Sequence, residues 1–329
     1  MHILVIGAGG MLGGKLVERL ARTGQVGGQA ITKITRHDVG LPPAPPTSAF
    51  PIETSMGDVS QEEEAAQLIS QKPDVIFHLA AVVSGEAEAD FDKGYAINLD
   101  GTRHLLEAIR KLGGGYRPKF IFTSSIAVFG APFPEAIGDE FFTTPLTSYG
   151  TQKAICELLI SDYSRRGFCD GVSLRMPTVC VRPGKPNKAA SGFFSNIIRE
   201  PLVGLEAILP VSEDVRHWHA SPRTAVQMLI HAAKLDLQLV GTRRALAMPG
   251  VSCTVAEQIA ALGRIGGEKC VKMIKHVPDE TIMKIVAGWP SRFETKRALA
   301  LGFVAEQSFD EIIRVHIEDE LYGKISWAI

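Results

Sequence analysis

The chain has 329 residues, with 35 Lys+Arg against 36 Asp+Glu, a net charge of −1, 45% hydrophobic and 22% charged residues. That composition belongs to a folded globular protein with a sizeable core, and it argues against broad electrostatic capture of nucleic acid or of an anionic membrane surface. The longest apolar run, residues 75–83, is interrupted by His78 and falls short of the roughly 18 residues of a membrane span.

In chain order, the first half alternates short apolar runs with helical patterns, the signature of a parallel sheet with crossover helices. His2–Ile6 reads as a strand buried on both faces. Leu12, Leu16, Val17 and Leu20 then predict a helix over Met11–Thr23. Residues 31–38 read as a second, more polar strand. The proline-dense stretch LPPAPPTSAFP at 41–51 is a surface excursion. Ser60 with Glu63 predicts a capping box and a helix to about Gln71. Residues 75–81 and 120–124 read as strands, 98–112 as a helix, 149–166 as a long helix and 171–176 as a strand. Beyond about 183 the pattern becomes irregular, with a second capping box at Thr254 and Glu257. This divides the chain into a nucleotide-binding part, 1–183, and a substrate-binding part, 184–329, partly interleaved with the first. Cys156, Cys169, Cys180, Cys253 and Cys270 are scattered without a CxxC, which points away from a disulfide framework or zinc site and toward a reducing compartment. The start of the chain lacks the charged segment and cleavage site of a signal peptide, so the expected location is the cytoplasm.

Gly7-Ala8-Gly9-Gly10-Met11-Leu12-Gly13 lies between the first strand and helix. There Gly7 permits a tight turn, Gly10 lets the backbone approach a pyrophosphate, and Gly13 lets helix and strand pack closely. The helix N-terminus presents N–H groups to the anion. Asp38, 25 residues beyond Gly13, is placed to accept from the adenosine ribose hydroxyls and favours NAD. If the strand ended two residues earlier, Arg36 would face the 2′ position and NADP would be welcome. Gly57-Asp58-Val59 offers a carboxylate for the adenine amino group and a side chain over the ring, although Asp58 would equally serve as a helix cap.

Tyr149 and Lys153 are four residues apart and share one helix face. A free tyrosine, with a pKa of about 10, is a poor base at neutral pH. A neighbouring ammonium favours the phenolate and makes Tyr149 a usable general base for an alcohol proton. Ser124-Ser125 closes the preceding strand, where the carboxyl edge of a parallel sheet gathers its catalytic loops, and Ser125 is placed to hydrogen-bond the reacting oxygen.

Taken together, these motifs resemble the extended short-chain dehydrogenase/reductase family. The shared features are the glycine run, Gly57-Asp58-Val59, His78-Leu79-Ala80-Ala81, Asn98-Leu99-Asp100-Gly101-Thr102, Ser124-Ser125 before Val128-Phe129-Gly130, Tyr149 with Lys153, and Thr295-Lys296-Arg297-Ala298. The resemblance implies an α/β fold, a Rossmann-type doubly wound parallel sheet with a smaller C-terminal α/β substrate region. It also implies a nicotinamide cofactor held by Gly7, Gly10, Met11, Leu12, Gly13, Asp38, Asp58, Val59, Ala80, Tyr149, Lys153 and Pro177. The implied catalytic set is Ser125, Tyr149 and Lys153, with Asn98 steadying the active-site helix and its proton-relay water. A homodimer through the helices near Asn98 and Tyr149 follows by the same analogy.

Within the family, nucleotide-sugar epimerases carry Asn-Val-Tyr-Gly-Pro where this chain has a different stretch, 174–191. That stretch, with 199–202 and 217–223, resembles members that oxidise the C2 hydroxyl of a four-carbon sugar acid to a 2-oxo acid. Such a substrate needs a cation for its carboxylate; Arg182 is the first candidate, ahead of Lys185, Lys188 and Arg223. His217 and His219 lack a nearby third ligand and read as packing or substrate-loop residues, with no metal expected. The competing readings are an epimerase or dehydratase that retains its NAD, and a non-catalytic dinucleotide-binding sensor.

Overall fold

Ile3, Leu4, Val5 and Ile6 are at most 1% exposed, so the first strand is covered on both faces. Each of these side chains contributes roughly 1.5–3 kcal/mol by leaving water. In the computed structural model, which describes residues 1–184 and 190–325, this strand is an interior strand of a seven-stranded sheet. The strands are β1 (His2–Ile6), β2 (Lys33–Asp38), β3 (Ile52–Met56), β4 (Val75–His78), β5 (Lys119–Ser125), β6 (Asp170–Met176) and β7 (Ala245–Ala247). Their order is β7-β6-β5-β4-β1-β2-β3 and every pairing is parallel. The order reverses at β1, which has β2 on one side and β4 on the other. That switch point is where open α/β sheets present a crevice at their carboxyl ends. The sheet carries helices α1 (Met11–Thr23), α2 (Glu62–Ser70), α3 (Gly101–Leu112) and α4 (Ser148–Arg165). The α/β Rossmann-type sheet expected from the sequence is therefore present.

The chain divides into two compact units. The first takes Met1–Val128, Thr147–Met176 and Val226–Ala247 and contains the sheet. The second takes Phe129–Leu146, Pro177–Ala225 and Met248–Ile329. It has a three-stranded sheet in the order Val251–Thr254, Arg216–Ala220, Thr178–Val179, and a pair formed by Ala207–Leu209 and Ile274–His276. Its core is built from helices Gly192–Leu202, Val255–Gly266 and Phe309–Glu320 through Phe194, Ile197, Leu262, Ile312 and Ile313, none of them exposed.

Several local expectations change. Strand β3 carries no apolar alternation because it is a polar edge strand, with three of its five residues exposed. The capping box expected at Ser60 and Glu63 does not form. Asp58 Oδ1 accepts from Ser60 N–H at 2.9 Å, and Gln61 takes the cap position without a side-chain bond. β4 stops at His78, since the N–H groups of Leu79 and Ala80 both turn to Ile6 O. The helix expected over 98–112 is preceded by a π-helical turn, Tyr95–Asp100. The second capping box does form: Thr254 N–H donates to Glu257 Oε2 at 2.6 Å and Glu257 N–H to Thr254 Oγ1 at 3.1 Å. All five cysteines are free and buried. Among the described residues, no helix is long and apolar enough to cross a membrane.

The contact of α1 with β1 yields a direct test. A Cβ at Gly13 would fall 2.2 Å from Gly7 O and 2.7 Å from Ala8 Cα, both backbone atoms with no room to yield. Gly13→Ala is expected to lower the unfolding free energy by about 1–3 kcal/mol, read from urea denaturation. An unchanged midpoint would show that helix and strand are not in this contact.

Candidate active site

The glycine loop is fixed by backbone rather than side chains. Gly7 has φ +87°, and a Cβ there would lie 2.5 Å from Ala80 N, so the turns after β1 and β4 meet at a separation only glycine permits. Gly7 and Ala8 N–H both donate to His37 O, at 2.9 and 3.1 Å. Gly9 N–H donates to Asp38 Oδ2 at 2.8 Å, which brings the carboxylate at the end of β2 against the loop. Helix α1 begins after Gly10 with no side-chain cap and no acidic residue in its first turn. Its N–H groups and dipole are thus presented to an anion, with Met11 and Leu12 half-buried beside them. This cradle fits the pyrophosphate of a dinucleotide.

Asp38 and not Arg36 stands at the strand end. β2 continues to Asp38, and Arg36, 5% exposed, donates to Thr54 Oγ1 at 2.8 Å and to Pro43 O. The condition under which Arg36 would read a 2′-phosphate is not met. Asp58 is half-buried and spends Oδ1 on the turn before α2, while Val59 is 3% exposed and packs close to Gly101.

Ser125, Tyr149 and Lys153 all belong to the first unit. Thr147 Oγ1 accepts from Gly150 N–H at 3.1 Å and so caps α4, placing Tyr149 in the first turn. Lys153, one turn on, is 1% exposed. Its ammonium donates to Thr123 O at 2.9 Å, sits 4.5 Å from the centre of the Phe122 ring and 5.6 Å from that of Tyr149. Burial pushes its pKa down to about 8, opposed by the Glu157 carboxylate. Ser125 closes β5, half-buried, and its Oγ accepts from Ala127 N–H at 3.1 Å.

Asn98 lies on the π-helical turn, 1% exposed. Its Oδ1 accepts from Val82 N–H at 2.9 Å, and its Nδ2 donates to Val82 O at 3.2 Å and to Gln152 Oε1 at 2.7 Å. It therefore ties the segment after β4 to the helix bearing Tyr149. Gln152 and Val82 went unnoticed in the sequence. Gln152 gave a signal only by its place beside Lys153, and Val82 gave none, because its backbone makes the contact.

In the second unit, Pro177 is buried just after β6. Arg182 is half-buried, its Nε donating to Val179 O at 3.0 Å and an Nη to Ser191 Oγ at 2.9 Å, which fixes the guanidinium plane. Arg223 is committed elsewhere: it pairs with Asp319 at 2.5 Å and Glu318 at 2.9 Å, which removes it as a carboxylate receptor. Lys185 and Lys188 lie outside the described residues. His217 and His219 are packing groups. His217 bonds Thr178 Oγ1 at 2.6 Å and stacks on Phe194, while His219 bonds Gln258 at 2.8 Å. Burial pushes the pKa of His217 down to about 3 and that of His219 well below its usual value.

Residues 3–222 match the NAD dependent epimerase/dehydratase family, and the chain belongs to it. It is 45% identical over 323 residues to a D-erythronate dehydrogenase of Cupriavidus necator, covering 97% of this chain and 98% of that one. It is 43% identical over 321 residues to a D-erythronate dehydrogenase of Haemophilus influenzae, covering 98% and 100%. Among solved structures, one described as the nucleoside-diphosphate-sugar epimerase of Agrobacterium tumefaciens superposes with a TM-score of 0.97 at 62% identity, covering 99% of this chain and 96% of that one. The extended short-chain dehydrogenase/reductase resemblance is upheld, and the chain is by class an NAD-dependent dehydrogenase.

Lys153 supplies a stability test. Its folded pKa of about 8 lies below the value near 10.5 of an exposed lysine. Between those values the unfolded chain holds a proton that the folded chain lacks, so this contribution to stability rises with pH. Below about pH 8 the burial penalty is fully present. Lys153→Met is expected to raise the unfolding free energy at neutral pH by about 1–2 kcal/mol, after subtracting the lost bond to Thr123 O. The gain should fade as pH rises toward 10.5. A variant destabilised equally at all pH values would contradict the burial of a charged Lys153.

Proposed function

We propose that the chain oxidises the C2 hydroxyl of a small sugar acid resembling D-erythronate to the 2-oxo acid. The observation that carries this reading is near full-length similarity to two D-erythronate dehydrogenases from different organisms. Tyr149, Lys153 and Ser125 supply the chemistry such a reaction needs. Tyr149 takes the hydroxyl proton, Lys153 favours the phenolate through its charge, and Ser125 Oγ donates to the reacting oxygen. When bound, NAD supplies hydride acceptance at its nicotinamide ring.

Gly7, Gly10, Met11, Leu12 and Gly13 would hold the pyrophosphate. Asp38 would take the adenosine ribose, Asp58 and Val59 the adenine, and Ala80, Tyr149, Lys153 and Pro177 the nicotinamide half. Asn98 would steady α4 and a proton-relay water. Arg182, with its plane already set, would grip the substrate carboxylate, which fixes C2 for the transfer. The protein would work as a cytoplasmic homodimer paired through α3 and α4, where Leu158 is 71% exposed.

A second reading, an epimerase that retains its NAD, is favoured by the name of the 62% identical structure. The two separate on net cofactor turnover. Mixing the protein with NAD or NADP and a panel of four- to six-carbon aldonic acids is expected to yield NADH with D-erythronate and little NADPH. Tyr149→Phe should lower kcat by about 10²–10⁴-fold while still binding NAD. Interconversion of a nucleotide sugar without accumulated NADH would favour the epimerase. Unchanged turnover in Tyr149→Phe would remove Tyr149 as the base.

A further inference from the structure

Tyr149, Lys153 and Glu157 recur every four residues along α4 and form one stripe. The third member has no part in the chemistry above, yet its carboxylate is bound by side chains from two strands. The Glu157 side chain is 4% exposed and its partner Arg175, on β6, 13%. Glu157 Oε1 accepts from Ser124 Oγ at 2.6 Å and Arg175 Nε at 3.0 Å. Oε2 accepts from Arg175 Nη2 at 2.8 Å. Ser124 and Arg175 are register partners across β5 and β6, so one carboxylate clamps two adjacent strands to the helix.

Replacing a buried ion pair by apolar side chains of the same volume often costs no stability, so stability alone is weak grounds for its presence. Two observations point to another role. Ser124 sits between Thr123, whose carbonyl holds the Lys153 ammonium, and Ser125 at the strand end. Glu157 is also the carboxylate one helical turn from a lysine with 1% exposure. We infer that Glu157, locked by Arg175 and Ser124, is a positioning residue of the reaction. It acts through Lys153, whose charge it sustains, and through Ser124, which fixes the strand end bearing Thr123 and Ser125. This inference rests on the reading of Tyr149 as the base.

The other ionisable groups around Lys153 do not substitute for it. Cys156 on the same helix is a neutral thiol, since burial pushes it up to about 11. His78 on β4 is neutral, pushed down to about 3 by burial and by Lys153 itself. Glu88 is engaged with Ser148 N–H at the start of α4. Tyr95 and Asp100 stand on the π-helical turn. Glu107 of α3 takes Tyr163 OH near the far end of α4 and pairs with Arg110. Arg175 is a cation and opposes the effect; its guanidinium is bound to both oxygens of the Glu157 carboxylate.

The test is the pH profile of kcat in Glu157→Gln, which preserves shape and removes charge. Its alkaline limb, where Lys153 loses its proton, is expected to move down by about one pH unit, a roughly tenfold loss of turnover on that limb. The loss near neutrality should be much smaller and the KM for NAD unchanged. A second readout needs no turnover: the phenolate ultraviolet absorbance of Tyr149, taken as the difference from the same protein bearing Tyr149→Phe, should appear at higher pH in Glu157→Gln. Ser124→Ala keeps the charge and should lower kcat without moving the limb. If Glu157→Gln fails to fold, the double variant Glu157→Gln/Arg175→Met removes both charges and should move the limb in the same direction by a smaller amount, because the opposing cation is lost with the carboxylate. An unmoved limb and phenolate titration in a natively melting variant would overturn the inference, as would an equal displacement in Ser124→Ala. Full turnover in Tyr149→Phe would instead overturn the reading of the base.

Discussion

An ammonium ion with 1% exposure is the constraint on which the first unit's active face depends. Burying such a charge costs several kcal/mol unless partners replace the lost water. The partners here come from the sheet edge. β4 stops at His78, opposite Phe122, while β5 runs on to Ser125. That overhang leaves Thr123 beyond the ladder on this side, and its carbonyl takes Lys153. The Phe122 ring face lies under the same ammonium. Strand length, helix register and the position of Ser125 are thereby coupled.

The cofactor cradle arises from a different constraint, the close approach of backbone at the switch point. Gly7 against Ala80 and Gly13 against Gly7 leave no room for a Cβ. The result is an uncapped helix end beside a carboxylate, Asp38, that is itself anchored to Gly9 N–H. Such a cradle offers an anion oriented backbone groups, which suits a chain whose net charge of −1 supplies no general attraction.

Much of this was legible in the sequence, for identifiable reasons. β1 and α1 read to the residue because a four-residue apolar run and a 3.6 periodicity are bounded by glycines. Tyr149 and Lys153 were visible through their spacing together with Ser124-Ser125 at the end of the preceding strand. β3 was not, because an exposed edge strand has no buried face to pattern. The π-helical turn was invisible because six residues, Tyr95–Asp100, are too few to establish a period of their own. Arg182 and Arg223 looked alike as cations near a substrate loop; only the structure shows Arg223 spent on Asp319 and Glu318. Glu157 continued the Tyr149–Lys153 stripe by the same spacing, and its significance required Arg175 and Ser124 to be seen around it.

In the proposed reaction Tyr149, Lys153 and Ser125 would act alike in a dehydrogenase that releases NADH and in an epimerase that keeps it, and the fate of the hydride distinguishes the two. The decisive measurement uses D-erythronate carrying deuterium at C2, mixed with the protein and NAD. Oxidation at C2 by a dehydrogenase predicts that the deuterium appears in free NADH, in step with a 2-oxo acid. Deuterium that remains on or returns to the sugar acid, with no NADH accumulating, would contradict it.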